Sequence, residues 1–276
     1  MPKTAAGVAF QRQWSKAQQA AKAAARETAA RPTSDNIHDL RVALRRCRAV
    51  TTGFRTLLDK AERARVVEPW RGLSKTLGRA RSLDVAAEFF TKAPPGADKA
   101  ALAGVRRRWA QAQGKARTTA GAAVQAALAD GVFDRAPPPL KPTEATISDL
   151  ADAAFAHERK RFKKASKGLA KLPAPLRHKA RIKAKTWRYM IEMFDSAVDL
   201  DHRRQRKRLL ADLQVLQDEL GALNDVATAP SLAAEILAGA PAEQALAAGE
   251  SIAQAGDSTD CRLQRARHAR RRILRS

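Results

Sequence analysis

One short pattern occurs twice in this chain and limits its architecture more than any other feature. The first copy runs His38-Asp39-Leu40-Arg41-Val42-Ala43-Leu44-Arg45-Arg46-Cys47-Arg48. The second runs His178-Lys179-Ala180-Arg181-Ile182-Lys183-Ala184-Lys185-Thr186-Trp187-Arg188. Both read H-x-x-R-x-x-x-[KR]-x-x-R, with their apolar positions in the same phase. On an α-helix these offsets place the four polar side chains within a sector of roughly 80°. Each copy is therefore a basic stripe about 15 Å long. Leu40, Leu44, Cys47, Phe54 and Leu58 fall on another face of the first helix. Ala180, Ala184, Trp187, Ile191, Phe194 and Val198 do so on the second, and these faces are the expected core sides. A pattern repeated this closely calls for two copies of one helical unit.

The rest of the chain agrees with a helical reading. Long alternating β-branched runs are missing, and breakers divide the sequence into helix-sized pieces. Helices are predicted near Val8–Ala29, from Thr33-Ser34-Asp35 to Leu58, over Ala61–Lys92 and over Asp98–Ala129. Pro69, Gly72 and Gly78 are places where the third could break. Asp130-Gly131 and Ala136-Pro137-Pro138-Pro139 mark a linker, after which the plan restarts. Helices are predicted near Thr146–Lys171, Pro175–Val198, His202–Leu237 and Ala242–Ile273, with Pro230 able to kink the seventh. The reading is all-α: two four-helix bundles, 5–130 and 146–273, joined by a Pro-rich linker at 131–145.

Composition narrows the partners. Lys and Arg number 52 against 28 Asp and Glu, a formal net charge of +24 over 276 residues. Such an excess repels itself in a compact fold, so a polyanionic partner is expected. Aromatic residues are only 5%, which argues against base stacking as the main binding mode. Cys47 and Cys261 are too few for a disulfide framework, and Cys47 reads as a buried thiol. No Cys/His spacing suits a metal, and no cofactor motif is present. The opening MPKTAAGVAFQRQW lacks an apolar signal core, and no run approaches about 18 apolar residues. A soluble, cytoplasmic protein without membrane contact is expected.

A second correspondence follows each motif. Leu77-Gly78-Arg79-Ala80-Arg81-Ser82-Leu83-Asp84-Val85 parallels Leu220-Gly221-Ala222-Leu223-Asn224-Asp225-Val226. The glycines read as tight helix contacts, and Asp84 and Asp225 as polar groups that hold register.

These segments, with Ile37 before the first motif, Arg177 and Tyr189 around the second, and Leu216-Gln217-Asp218-Glu219, resemble the CHAD domain, the conserved histidine α-helical domain. The resemblance spans about residues 5 to 273, so that 1–276 reads as one such domain. It implies two four-helix bundles related by a pseudo-two-fold axis, with a basic surface between them. It implies inorganic polyphosphate as the ligand, and residence at polyphosphate granules. It maps the family histidines to His38 and His178, and the basic positions to Arg41, Arg45, Arg48, Arg181, Lys185 and Arg188. Ser82 stands where an acidic residue is usual, and Ala180 where a larger apolar residue is usual. Some relatives carry a triphosphate-cleaving tunnel domain with an E-x-E-x-K motif. Neither its strands nor that motif occurs here, so no hydrolytic activity carries over.

Polyphosphate offers only oxygen acceptors in a line, and matched Arg and Lys stripes supply donors in a line. The histidines, expected in the first helical turn, would add oriented donors beside free backbone N–H groups. Arg12, Lys16, Lys160 and Lys164 are candidates to extend the track. His157, His202 and His268 have no comparable context. A sequence-independent nucleic-acid binder is the competing reading, although no helix-turn-helix, zinc finger or RNA-recognition motif is evident. A polyphosphate-processing enzyme would need clustered carboxylates or a partnered nucleophile, and the motifs contain neither. Binding without catalysis is expected; protein partners are not legible.

Overall fold

The computed structural model describes residues 5–195 and 203–275. Among them are nine α-helices and no strand: α1 (Ala5–Ala30), α2 (Ser34–Gly53), α3 (Lys60–Ala87), α4 (Lys99–Ala129), α5 (Ile147–Ala165), α6 (Ala174–Phe194), α7 (Arg203–Ile236), α8 (Ala242–Gly256) and α9 (Thr259–Arg275). The predicted end of α6 at Val198 and start of α7 at His202 lie outside the described residues.

Helix starts follow local chemistry. Thr33 caps α2 by accepting from the Asn36 N–H at 3.2 Å. Asp59 accepts from Ala61 and Glu62, and Asp98 from Ala100 and Ala101. Thr146 and Asp149 form a reciprocal capping box on α5. Pro69 and Pro230 both lie inside continuous helices. The hydrogen bond each proline removes is outweighed where neighbours such as Val66, Trp70 and Leu73 are buried.

Four boundaries differ from expectation. The second helix stops at Gly53, where a side chain would overlap Met193 and Phe194 of α6. The third stops at Ala87, short of Lys92, and passes into a 3₁₀ turn at Glu88–Phe90. The fifth stops at Ala165; Gly168, at φ +64°, then leads into a 3₁₀ turn at Leu169–Lys171. The predicted eighth helix is two helices, parted at Asp257-Ser258. The Ser258 hydroxyl accepts from Arg262 Nε at 2.9 Å and helps start α9. The split sends the two pieces to different cores.

The first core gathers α1, α2, the start of α3 and the end of α4 around Phe10, Trp14, Leu44, Phe54 and Trp70. It does not end at the linker. Val132 and Phe133 are buried in it, as are Leu150, Ala151 and Ala154 of α5 and Phe194 of α6. Lys141 N–H donates to the Leu57 carbonyl at 2.8 Å, so the Pro-rich segment is docked. A second core joins Phe162, Trp187 and Ile191 to Leu213, Leu216 and Leu220 of α7 and Ala266 and Ile273 of α9. A third sits where the far ends of α3 and α4 (Leu83, Leu102, Trp109) meet the far end of α7 and α8 (Ala233, Ile252). The two motif helices, α2 and α6, pack against each other between these cores.

Candidate anion-binding cleft

The basic stripes of α2 and α6 open into a cleft of about 350 Å³. Its walls carry Arg41, Arg45 and Arg48 of α2, and His178, Arg181 and Lys185 of α6. Six of the eight motif residues thus share one cavity. The third wall is α3, which adds Arg71, Ser74 and Lys75. No lining residue is a carboxylate, and none comes from α7 among the described residues.

Two half-buried positions of the cleft form equivalent joints. Arg41 Nη1 donates to the Ser74 carbonyl at 3.0 Å and lies over Gly78, where a Cβ would sit 3.1 Å from it. Arg181 Nε donates to the Gln217 carbonyl at 3.2 Å and lies over Gly221, where a Cβ would sit 3.0 Å from Nη2. In each half the carbonyl belongs to the residue four before the glycine. The Leu-Gly repeat is therefore a seat for the motif arginine. The expected tight helix contact is an arginine contact, and it aims a half-buried cation at the cleft.

Around the joints the halves diverge. Asp218 and Asp225 both lie close enough to support the charge of Arg181. Arg41 has only cations for charged neighbours: burial first, then Arg45, Arg81 and Arg181, push its pKa down to about 10. Lys185 is pushed down to about 7, by burial first and then by Arg181, Arg45, Arg41 and Arg188. Asp84 is buried and ion-paired to Arg117 of α4 at 2.5 Å, with Gln113 donating to it at 3.0 Å. That contact ties α3 to α4.

Two motif residues lie off the cleft. Arg188 is paired with Glu192 at 3.2 Å and packs over the Tyr189 ring at 5.0 Å from its centroid. His38 is exposed. Partial desolvation first, then Arg81 and Arg45, lower its pKa, with Asp39 opposing. His178 is lowered by burial first and then by Arg181, while Asn224 and Asp225 oppose; its Nδ1 is buried without a partner. Both histidines stand fifth in their helices, which start at Ser34 and Ala174. Their backbone N–H groups already belong to the helical ladder, so the expected first-turn backbone donors are not beside them. Only the imidazole rings can donate.

The four candidate extensions separate. Lys16 joins Arg46 and Glu192 in a groove that meets the cleft at Ala49 and Tyr189. Arg12 lies one groove further on, among Val8, Ile147 and Met193. Lys160 and Lys164 are exposed on α5 and line none of these cavities. Arg71 and Lys75 were not singled out by the sequence, and Tyr189 only as part of the family resemblance. Tyr189 Oη accepts from Arg45 Nη1 at 3.0 Å and so fixes that guanidinium. The i, i+4 spacing of Arg71 and Lys75, three residues before Gly78, was the available signal for the α3 wall. Among the described residues no group of three or more His, Cys, Asp or Glu side chains is gathered as a metal would require. None of their helices is long and apolar enough to cross a membrane.

An all-helical fold with a basic cleft between two motif helices defines the class. A CHAD-domain family model matches residues 9–234, and the chain belongs to that family. The fold is similar to the crystal structure of the CHAD domain from the plant Ricinus communis, at TM-score 0.74 and 22% identity, over 96% of this chain and 91% of that one. It is also similar to PptA from Streptomyces chartreusis, at TM-score 0.70 and 18% identity, over 96% and 99%. No curated protein matches the sequence.

Proposed function

We propose that this protein binds inorganic polyphosphate in the cleft between α2, α3 and α6, without hydrolysing it, and that this binding takes it to polyphosphate granules. One observation carries the reading: Arg41, Arg45, Arg48, Arg71, Lys75, His178, Arg181 and Lys185 converge on one cavity with no carboxylate among its lining. Such a wall repels itself until an anion enters, and it presents donors to phosphate oxygens from three sides. The association of the CHAD family with polyphosphate supports the same ligand. A base-bearing polymer fits less well. Tyr189, the aromatic residue of the cleft, is buried, with the guanidiniums of Arg45 and Arg188 near its ring, and offers little surface for stacking.

The test is a titration with polyphosphate of several chain lengths, repeated with Arg41, Arg45, Arg181 and Lys185 changed to Glu. Loss of binding in the variant is expected. Unchanged binding overturns the site. Displacement of polyphosphate by duplex DNA or RNA at equal phosphate concentration overturns the ligand. Release of orthophosphate in the presence of magnesium overturns the absence of catalysis.

A further inference from the structure

Lys185 stands apart from the other basic groups of the cleft. Arg41, Arg45 and Arg181 are each anchored by a hydrogen bond to a carbonyl or to the Tyr189 hydroxyl. Lys185 has no hydrogen bond or ion pair among the described residues. Its charged neighbours are Arg181 and Arg188 on its own helix and Arg41 and Arg45 across the cleft. Arg48, Arg71, Lys75 and His178 share the cavity, and no carboxylate lines it. A guanidinium cannot shed its proton to relieve such crowding, but an ammonium can. The amine is the group that discharges, consistent with its pKa near 7.

An uncharged amine among phosphate-binding guanidiniums has a chemical consequence. We propose that Lys185 is a site of acylation by acyl phosphates, whose phosphate the cleft arginines hold while Nζ attacks the acyl carbon. The inference rests on the cleft being an anion site, as proposed above. Nζ forms a bond to the acyl carbon, and the bond from that carbon to the phosphate oxygen breaks. The phosphate leaves with the bonding pair and takes up one Nζ proton, giving hydrogen phosphate and a neutral amide. No oxidant or further reactant is needed. A cavity of about 350 Å³ admits a small acyl phosphate. Arg181 and Arg45 are placed to stabilise charge on the leaving phosphate.

The product matters to the cleft. An amide cannot be protonated, so acylation removes the one group of the wall that takes up a proton, and with it a positive charge, when the polyanion binds. Polyphosphate affinity of the acylated protein is expected to fall on the order of tenfold. Bound polyphosphate, in turn, covers the lysine and shields it. Ligand and modification exclude each other.

Acetyl phosphate is the probe. The full chain is incubated with it at pH 7.5, and acetylation is followed lysine by lysine by mass spectrometry. At that pH an ordinary lysine is uncharged about 0.1% of the time, and a lysine with a pKa near 7 mostly so. Lower basicity, and the rise in pKa that the bound acyl phosphate itself causes, take back part of this gain. Lys185 is expected to react roughly tenfold or more faster than exposed lysines such as Lys92 and Lys115. Its rate should saturate with acetyl phosphate and be suppressed by excess orthophosphate. A rate equal to that of the exposed lysines overturns the proposal. A fast rate that neither saturates nor responds to orthophosphate also overturns it, because the phosphate would then play no part. A polyphosphate titration on the same preparation separates the two readings. Tight polyphosphate binding with slow Lys185 acetylation sinks this inference alone. Fast, saturable acetylation without polyphosphate binding sinks the proposed ligand and leaves this site standing.

Discussion

The α3 and α7 sides of the molecule carry the same joint and opposite surroundings. Each presents a glycine and a carbonyl to a motif arginine, at 3.0 Å on Ser74 and 3.2 Å on Gln217. When Gly78 is aligned with Gly221, Arg71 falls opposite Gln214, Lys75 opposite Asp218 and Arg81 opposite Asn224. The α3 side lines the cleft with cations. On the α7 side Gln214 donates to the Asp218 carboxylate at 2.7 Å, and Asp218 and Asp225 support Arg181. The repeat preserves how an arginine is seated; it does not preserve what surrounds the seat. A basic track expected to be symmetric is completed by a third wall on the α3 side alone.

The largest effect should separate the two sides. Arg71→Glu with Lys75→Glu should weaken polyphosphate binding on the order of a hundredfold. Gln214→Ala with Asp218→Ala should change it roughly threefold or less, toward tighter binding. Calorimetry at fixed salt measures both, and equal losses would break the contrast.

The pH profile comes next. Bound polyanion favours the ammonium form of Lys185, so the ligand raises a pKa that stands near 7 in the free cleft. Affinity is then high below about pH 7 and falls by up to about tenfold per unit above it, until the bound-state pKa is reached. Proton uptake on binding, read from titrations in buffers of different ionisation enthalpy, checks the sign. The histidines, lowered in the free protein, add a smaller rise in affinity at more acid pH.

Where the two sides are alike, variants should behave alike. Gly78→Ala and Gly221→Ala each place a methyl in tight contact with the guanidinium, 3.1 and 3.0 Å from its nitrogen, which must shift to make room. Each should weaken binding roughly threefold to tenfold, while helix propensity keeps melting temperature level or raises it. A loss confined to one glycine would mean that one joint does not serve the cleft. The smallest effect concerns the histidines. His178→Gln should weaken binding about threefold and His38→Gln less than about twofold, since only His178 lines the cavity.

Much of this arrangement was legible. Helical spacing put Arg41, Arg45, Arg181 and Lys185 on one face each, and the structure joins those faces. The α3 wall escaped because comparing the halves selects what both possess, and Arg71 and Lys75 have no basic partner on α7. The glycines were visible as a repeat, but a missing side chain does not say which atom fills the space. The break at Asp257-Ser258 lacks a proline; its signal was Gly256-Asp257-Ser258-Thr259 and the change from alanine-rich to arginine-rich sequence, which helical periodicity on both sides masked. The third core was out of reach for another reason. Leu83, Trp109, Ala233 and Ile252 read as apolar faces, but their meeting depends on how whole helices cross.

That third core, with the docking of α5 against the first, has a consequence for the integrity of the chain as two pieces. Residues from both sides of Pro137-Pro138-Pro139 are interleaved in the first and third cores. Covalent continuity through the proline run is therefore not what keeps α2 beside α6. A protease nick there should leave two fragments that stay together through gel filtration and still retain the cleft. Either fragment made alone would expose apolar faces meant for the other, and should aggregate.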